Sequence, residues 1–159
     1  MRTPVLSLVA SLLVVPAHAF GVPPPVGFSM EAALFERAGA TALRVTAVTT
    51  CWVEGWLEAE ARLGFGSADR PGGRATAAVT PAIGLRWGPE LGRWRPLLGV
   101  EAGVLLPADG RSTRPTGAAR AGLQWFARRD LALSVEVAER WTAGAGARVE
   151  AVMGLGYSP

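Results

Sequence analysis

The chain has 159 residues, room for one domain, and its net charge of +3 rests on arginine alone because lysine is absent. The arginines are spread along the chain with acids interleaved, which excludes a nucleic-acid footprint, and the single cysteine, Cys51, excludes a disulfide framework or a cysteine-cluster metal site. Half the residues are hydrophobic, yet beyond the N-terminus no stretch is apolar for long enough to form a transmembrane helix.

Residues 1–19 read as a secretory signal peptide. Arg2 supplies the positive start, residues 5–15 a short apolar core, and Ala17-His18-Ala19 a small-x-small cleavage site. Its removal takes away the only histidine. Residues 20–27 form a Pro-rich spacer, extended because Pro23, Pro24 and Pro25 cannot donate to a ladder.

Eight alternating runs come next, and side chains on a strand alternate faces. The first, residues 28–37, sets Phe28, Met30, Ala32 and Leu34 against Ser29, Glu31, Ala33 and Phe35. The second, 41–50, sets Leu43, Val45 and Ala47 against Arg44, Thr46 and Val48. In the third, 54–66, Leu57, Ala59, Ala61, Leu63 and Phe65 oppose Glu58, Glu60 and Arg62. The fourth and fifth, 75–87 and 94–106, form a hairpin about the turn 88–92. It carries Val79, Ile83, Leu85, Trp87, Trp94, Leu98 and Val100 on one face, and Thr80, Gly84, Arg86, Arg95, Gly99 and Glu101 on the other.

The sixth run, 116–126, opposes Ala119, Ala121, Leu123 and Trp125 to Arg120, Gly122 and Gln124. In the seventh, 130–141, Leu131, Leu133, Val135 and Val137 oppose Ser134, Glu136 and Arg140. The eighth, 145–157, places Val149, Ala151, Met153, Leu155 and Tyr157 opposite Arg148, Glu150, Gly154 and Gly156. Soluble strands usually run to about five or six residues, whereas about 9–11 tilted residues cross a bilayer. The pattern therefore predicts an all-β fold, an antiparallel up-and-down transmembrane barrel of eight strands over residues 28–157.

The connections at 67–73 and 107–115 are polar and rich in Gly and Pro, while 88–92 and 127–130 are short. With the N-terminus in the periplasm, both long connections fall outside, as an outer-membrane barrel requires. The links at 38–40 and 142–144 would be external too, and are brief for that side. Aromatics agree with this orientation. Phe28, Trp87, Trp94, Trp125 and Tyr157 face outward at the periplasmic rim, and Phe65 and Trp141 at the opposite rim. Aromatic rings favour the headgroup level. Trp52 and Trp56 fall on the inward parity, so they are either exceptions or the mark of a register shift near Cys51.

Charge sorts the same way. An arginine facing lipid at the midplane costs roughly 2–4 kcal/mol, so the charged faces belong inside. An eight-stranded barrel is just wide enough to be filled by side chains. Both signs are present, so the expected interior is a paired network of Glu58, Glu60, Arg62, Arg86, Arg95, Glu101, Arg120, Glu136, Arg148 and Glu150. Counting register outward from each turn brings Glu101, Arg120 and Glu136 to one level, with Arg148 and Glu150 extending the cluster.

The signal, the eight alternating strands, the inward charges and the rim aromatics resemble the small outer-membrane β-barrel family of OmpA/OmpX-like barrels. Arg95-Pro96-Leu97-Leu98-Gly99-Val100-Glu101-Ala102-Gly103 is similar to its Arg-Pro-x-x-Gly-x-x-x-Gly strand starts. Met153-Gly154-Leu155-Gly156-Tyr157 is similar to its C-terminal assembly signal, although Ser158 and Pro159 come after the aromatic here. The resemblance implies residence in the outer membrane of a Gram-negative cell, insertion by the barrel-assembly machinery, outer-membrane lipid as the surroundings and a monomeric state. Family members have varied roles, so no specific activity transfers.

Catalysis has little to work with. Without His18 a Ser/His relay has no base, and Glu58 with Glu60, both on one strand face, are expected to be ion-paired. No catalytic, cofactor or metal site is expected. Gly72-Gly73 and residues 144–146 read as turns, outside any strand-then-helix phosphate loop. Cys51 reads as an inert thiol beside a turn. Arg128-Arg129-Asp130 reads as a solvated turn that could touch periplasmic anions or lipid phosphate. The leading expectation is a non-enzymatic barrel acting structurally or through its outer loops. A narrow channel for small solutes or ions is the second reading. A soluble periplasmic barrel or sandwich, with the apolar set inside, is the third.

Overall fold

The computed structural model describes residues 26–37, 40–54, 56–69, 75–110 and 112–157; the expected signal, most of the spacer and the last two residues lie outside them. Eight strands run in order: β1 (Val26–Arg37), β2 (Ala40–Glu54), β3 (Leu57–Asp69), β4 (Ala75–Trp87), β5 (Trp94–Pro107), β6 (Arg114–Phe126), β7 (Leu131–Thr142) and β8 (Gly146–Tyr157). Each pairs antiparallel with its neighbour in sequence, and β1 pairs with β8 from Phe28 opposite Tyr157 to Phe35 opposite Glu150. The result is a closed up-and-down barrel, which removes the exposed sheet edges an open sheet would leave.

The period-2 pattern sets the facing in every strand. Ile83, Val100, Val135, Val149 and Met153 lie exposed on the outer wall, while Arg95, Glu136 and Glu150 are buried. The inverted arrangement of the third reading, apolar side chains inside, is not the one adopted. Small residues fill the remaining lumen where walls come close. At Gly122 an added Cβ would fall within 3.0 Å of the Val135 carbonyl and of the Glu136 backbone. In the β7–β8 turn, Gly144 takes a φ of 76°, a left-handed conformation that suits glycine.

Several boundaries differ from expectation. Glu54 ends β2 and does not open β3, because the β2–β3 register shifts between Trp52 and Glu54. Such a bulge inserts an extra residue and re-aims the side chains beyond it. Trp56 consequently lies exposed, edge-on to Trp87 at a centroid distance of 6.4 Å. The connections expected at 67–73 and 107–115 are shorter as loops, since β3 continues to Asp69 and β6 begins at Arg114. The early start of β6 also moves its register against β5. Pro81, with no N–H to give, lies where the β4–β5 ladder is interrupted between Val79 and Ala82.

Candidate functional site: the charged lumen

Inward parity delivers charged side chains from every strand into one column. At the end bearing the 88–93 turn, Glu58 on β3 accepts from Arg86 Nε and Nη2 on β4 at 3.0 and 2.7 Å. Its other oxygen pairs with Arg95 Nη1 at 2.5 Å. Arg95 also donates to the Gly88 carbonyl at 2.7 Å and lies over the Trp52 ring, 5.3 Å from its centroid. Trp52 therefore keeps the inward parity that made it an exception. Its face carries a buried cation.

The middle tier is built around two arginines. Arg62 pairs with Glu60 at 2.8 Å, with Glu101 at 2.9 Å and, closely, with Glu31. Arg120 Nη2 donates to both oxygens of Glu31 at 3.0 and 2.9 Å and pairs with Glu136 at 2.9 Å. Its Nη1 lies 3.5 Å from Glu60 and 4.0 Å from Glu101. Arg86 Nε reaches Glu60 at 3.3 Å, tying this tier to the first.

The third tier centres on Glu150, which is fully buried. Arg44 Nη2 meets it at 2.7 Å, Arg148 Nε at 2.8 Å and Arg140 Nε at 3.2 Å. Arg140 also pairs closely with Glu101, joining the third tier to the second. Arg148 stacks on Phe35 at 4.0 Å. Many of these links cross the lumen between strands that are not neighbours, such as β1 to β6 and β3 to β5. Buried charges are tolerable only when paired in this way.

Every charged residue expected in the network, Glu58, Glu60, Arg62, Arg86, Arg95, Glu101, Arg120, Glu136, Arg148 and Glu150, lies in this column. Three further members were not in that set: Glu31, Arg44 and Arg140. Their strand parity was the available signal. What parity could not reveal is reach across the lumen, and Glu31, from the first strand, is a hub. The expectation that Glu101, Arg120 and Glu136 share a level needs correction. Arg120 lies opposite Gly99 and Ala138, whereas Glu101 faces Ala118 and Glu136 faces Gly122. Each hairpin is offset by two residues, because β6 begins early and Phe126 pairs with Ala132 across a longer β6–β7 turn. Long side chains bridge the offset.

Two spaces flank the column. A cavity of about 140 Å³ at the turn end is lined by Ser29, Trp52, Glu58, Arg95, Gln124 and Ser134 among others. At the opposite end a smaller space of about 10 Å³ lies beside Phe35, Arg44 and Arg148. Ser29 Oγ and Gln124 Oε1 have no hydrogen-bond partner among the described residues, and the cavity is polar and roomy enough to hold water. Glu58 and Glu60 are each buried and held by more than one arginine. Cys51 is a half-buried free thiol on β2.

The aromatics expected at the rims sort by strand end. Phe28 lies opposite Tyr157, Trp87 opposite Leu57, and Trp94 opposite Trp125, all near the turn end. Trp141 is exposed one residue from the other end of β7, while Phe65 is exposed four residues short of the end of β3.

No family model and no curated protein matches the chain. Solved structures do. Neisserial surface protein A aligns with a TM-score of 0.65 at 9% identity, covering 84% of this chain and 96% of that one. A de novo designed transmembrane β-barrel aligns at 0.54 and 17% identity, covering 86% and 97%. The N-terminal β-barrel domain of Pseudomonas aeruginosa OprF aligns at 0.52 and 14%, covering 84% and 97%. At such identities the likeness is one of fold, and the fold is that of the small eight-stranded outer-membrane barrels.

Proposed function

We propose that this protein is an integral outer-membrane barrel, non-enzymatic, closed through its middle by the ion-pair column and acting structurally or through its external hairpins. The carrying observation is the inverted polarity. Met153 and Val149 are 64% and 65% exposed on the outer wall, while Glu150, between them on the same strand, is 0% exposed. In water such a surface would associate, since large exposed apolar patches are rare on soluble monomers; in hydrocarbon it is the wall lipid requires. The exposed Trp56–Trp87 pair and the pair of exposed Trp94 with half-buried Trp125 at one end are suited to the headgroup layer. The fold shared with outer-membrane barrels supports the location. The N-terminal signal and the barrel-assembly machinery complete the route to it.

The closed interior rests on the two cross-lumen tiers held by Arg62, Arg120 and Glu150. Refolded protein should migrate as a compact, heat-modifiable band, require detergent or lipid to remain dispersed, and give no steady conductance in planar bilayers. Full solubility without detergent would refute the membrane reading. Steady ohmic conductance would refute the closed lumen and favour the narrow channel.

A further inference from the structure

The turn end of the barrel carries basic residues that the lumen does not use. Arg93, in the turn before β5, and Arg128 and Arg129, in the turn before β7, line the outside of this end. Among the described residues none of the three forms an ion pair, in contrast to the paired arginines inside. The two turns are held side by side, because Phe126 N donates to the Arg93 carbonyl at 2.9 Å, while Arg128 N closes the β6–β7 turn itself by donating to the Leu131 carbonyl at 3.2 Å. Between them lies an open groove of about 460 Å³ lined by the three arginines with Glu90, Gly92, Phe126 and Ala127. Counting Glu90, it keeps a surplus of two positive charges.

The strand residues next to this groove are Trp94 and Trp125. They lie opposite one another in register, face outward, and have ring centroids 6.3 Å apart. The order from wall to groove is therefore aliphatic belt, indole pair, arginines. A phospholipid presents the same order: acyl chain, glycerol ester, phosphate. Indoles favour the interfacial layer. Guanidinium groups match phosphate oxygens through paired hydrogen bonds, which the ammonium of a lysine cannot reproduce. From this we infer that the groove between the β4–β5 and β6–β7 turns is a headgroup site for an anionic phospholipid, the phosphate held by Arg93, Arg128 and Arg129 and the acyl chains against Trp94 and Trp125. This rests on the membrane reading above.

The test separates the two. The protein is refolded into vesicles of phosphatidylcholine, and insertion is scored first by gel mobility and protease protection. Brominated phosphatidylglycerol or brominated phosphatidylcholine is then introduced at equal mole fraction and tryptophan quenching is read. Each basic residue near an anionic surface is worth several-fold, so a preference for phosphatidylglycerol of roughly tenfold is expected. It should fall to near unity in the R93S/R128S/R129S variant with insertion intact, and in part when the three are replaced by lysine. W94F/W125F should lose most of the lipid-specific quenching. Equal quenching by the two lipids, or full preference in the lysine variant, would overturn the site while leaving the membrane reading standing. Displacement by excess inorganic phosphate would instead make it a soluble-anion site. Failure to insert into phosphatidylcholine at all would remove the membrane reading, and this inference with it.

Discussion

Replacing Arg120 by methionine keeps most of the side-chain volume and removes the charge at the centre of the middle tier. The loss does not fall evenly on its partners. Glu31 keeps Arg62, Glu60 keeps Arg62 and Arg86, and Glu101 keeps Arg62 and Arg140. Glu136, by contrast, has Arg120 as its one ion-pair partner among the described residues, at 2.9 Å, and is 3% exposed. Breaking a buried pair by removing one member costs about 3–5 kcal/mol, mostly because the remaining charge is stranded. The cavity beside Ser134, two residues before Glu136, brings water near and moves the expected value toward the lower end. Glu136→Gln alone should be mild, since Arg120 retains Glu31 through two hydrogen bonds. The double variant R120M/E136Q strands nothing at position 136 and should recover much of the loss. Urea unfolding in lipid micelles, followed by tryptophan fluorescence, gives the four free energies of the cycle. A coupling energy of about 2 kcal/mol is expected, within the range for residues in one network. Strictly additive effects, with coupling below about 0.5 kcal/mol, would show that Glu136 does not depend on Arg120 and would refute the network.

Arginine at Ile83 or Val100, on the outer wall, should lower insertion into lipid by about 2–4 kcal/mol per site, measured as the folded fraction in vesicles. The same change at Thr80 tests the lumen, where crowding is the obstacle and no lipid penalty applies. Gly122→Ala, whose Cβ would press on the β7 backbone at Val135 and Glu136, should destabilise by about 1–3 kcal/mol in the same urea assay. Deleting β8 together with the last two residues should yield no heat-modifiable, protease-resistant product. It would leave β1 and β7 with unpaired edges, at several kcal/mol for each unsatisfied backbone group in lipid. Removing Ser158 and Pro159 alone should be tolerated.

Strand number, facing and the closed topology were legible because one physical rule, alternation, governs every strand. Val149 and Glu150 are told apart by parity alone. Register was legible only to within two residues, since it depends on how many residues each turn consumes. Ala127-Arg128-Arg129-Asp130 consumes more than its length implied, and Arg114 and Pro115 join β6 despite the proline. The bulge before Trp56 left one mark in the alternation, the inward parity of that exposed tryptophan, which by itself does not say where the extra residue lies. Glu31 escaped the expected network for a different reason. Ion pairing across a lumen is set by barrel closure, and no local pattern around residue 31 records which arginine on β3 or β6 will reach it.

The partners that meet inside the barrel are remote along the chain: Arg44 and Glu150 are 106 positions apart, Arg120 and Glu31 are 89. The backbone ladder, in contrast, is a succession of hairpins between strands adjacent in sequence, and makes no distant contact until β1 meets β8. Local pairings form first, because distant ones must bring the chain ends together before any contact rewards them. Until that meeting one face of the growing sheet is a row of hydrated ions and the other is greasy. Hydrocarbon cannot accept it one hairpin at a time without stripping water from glutamates and arginines that still lack their partners. For this chain, entry into the bilayer and closure of the ring are therefore a single event, timed by the arrival of the last strand at the first.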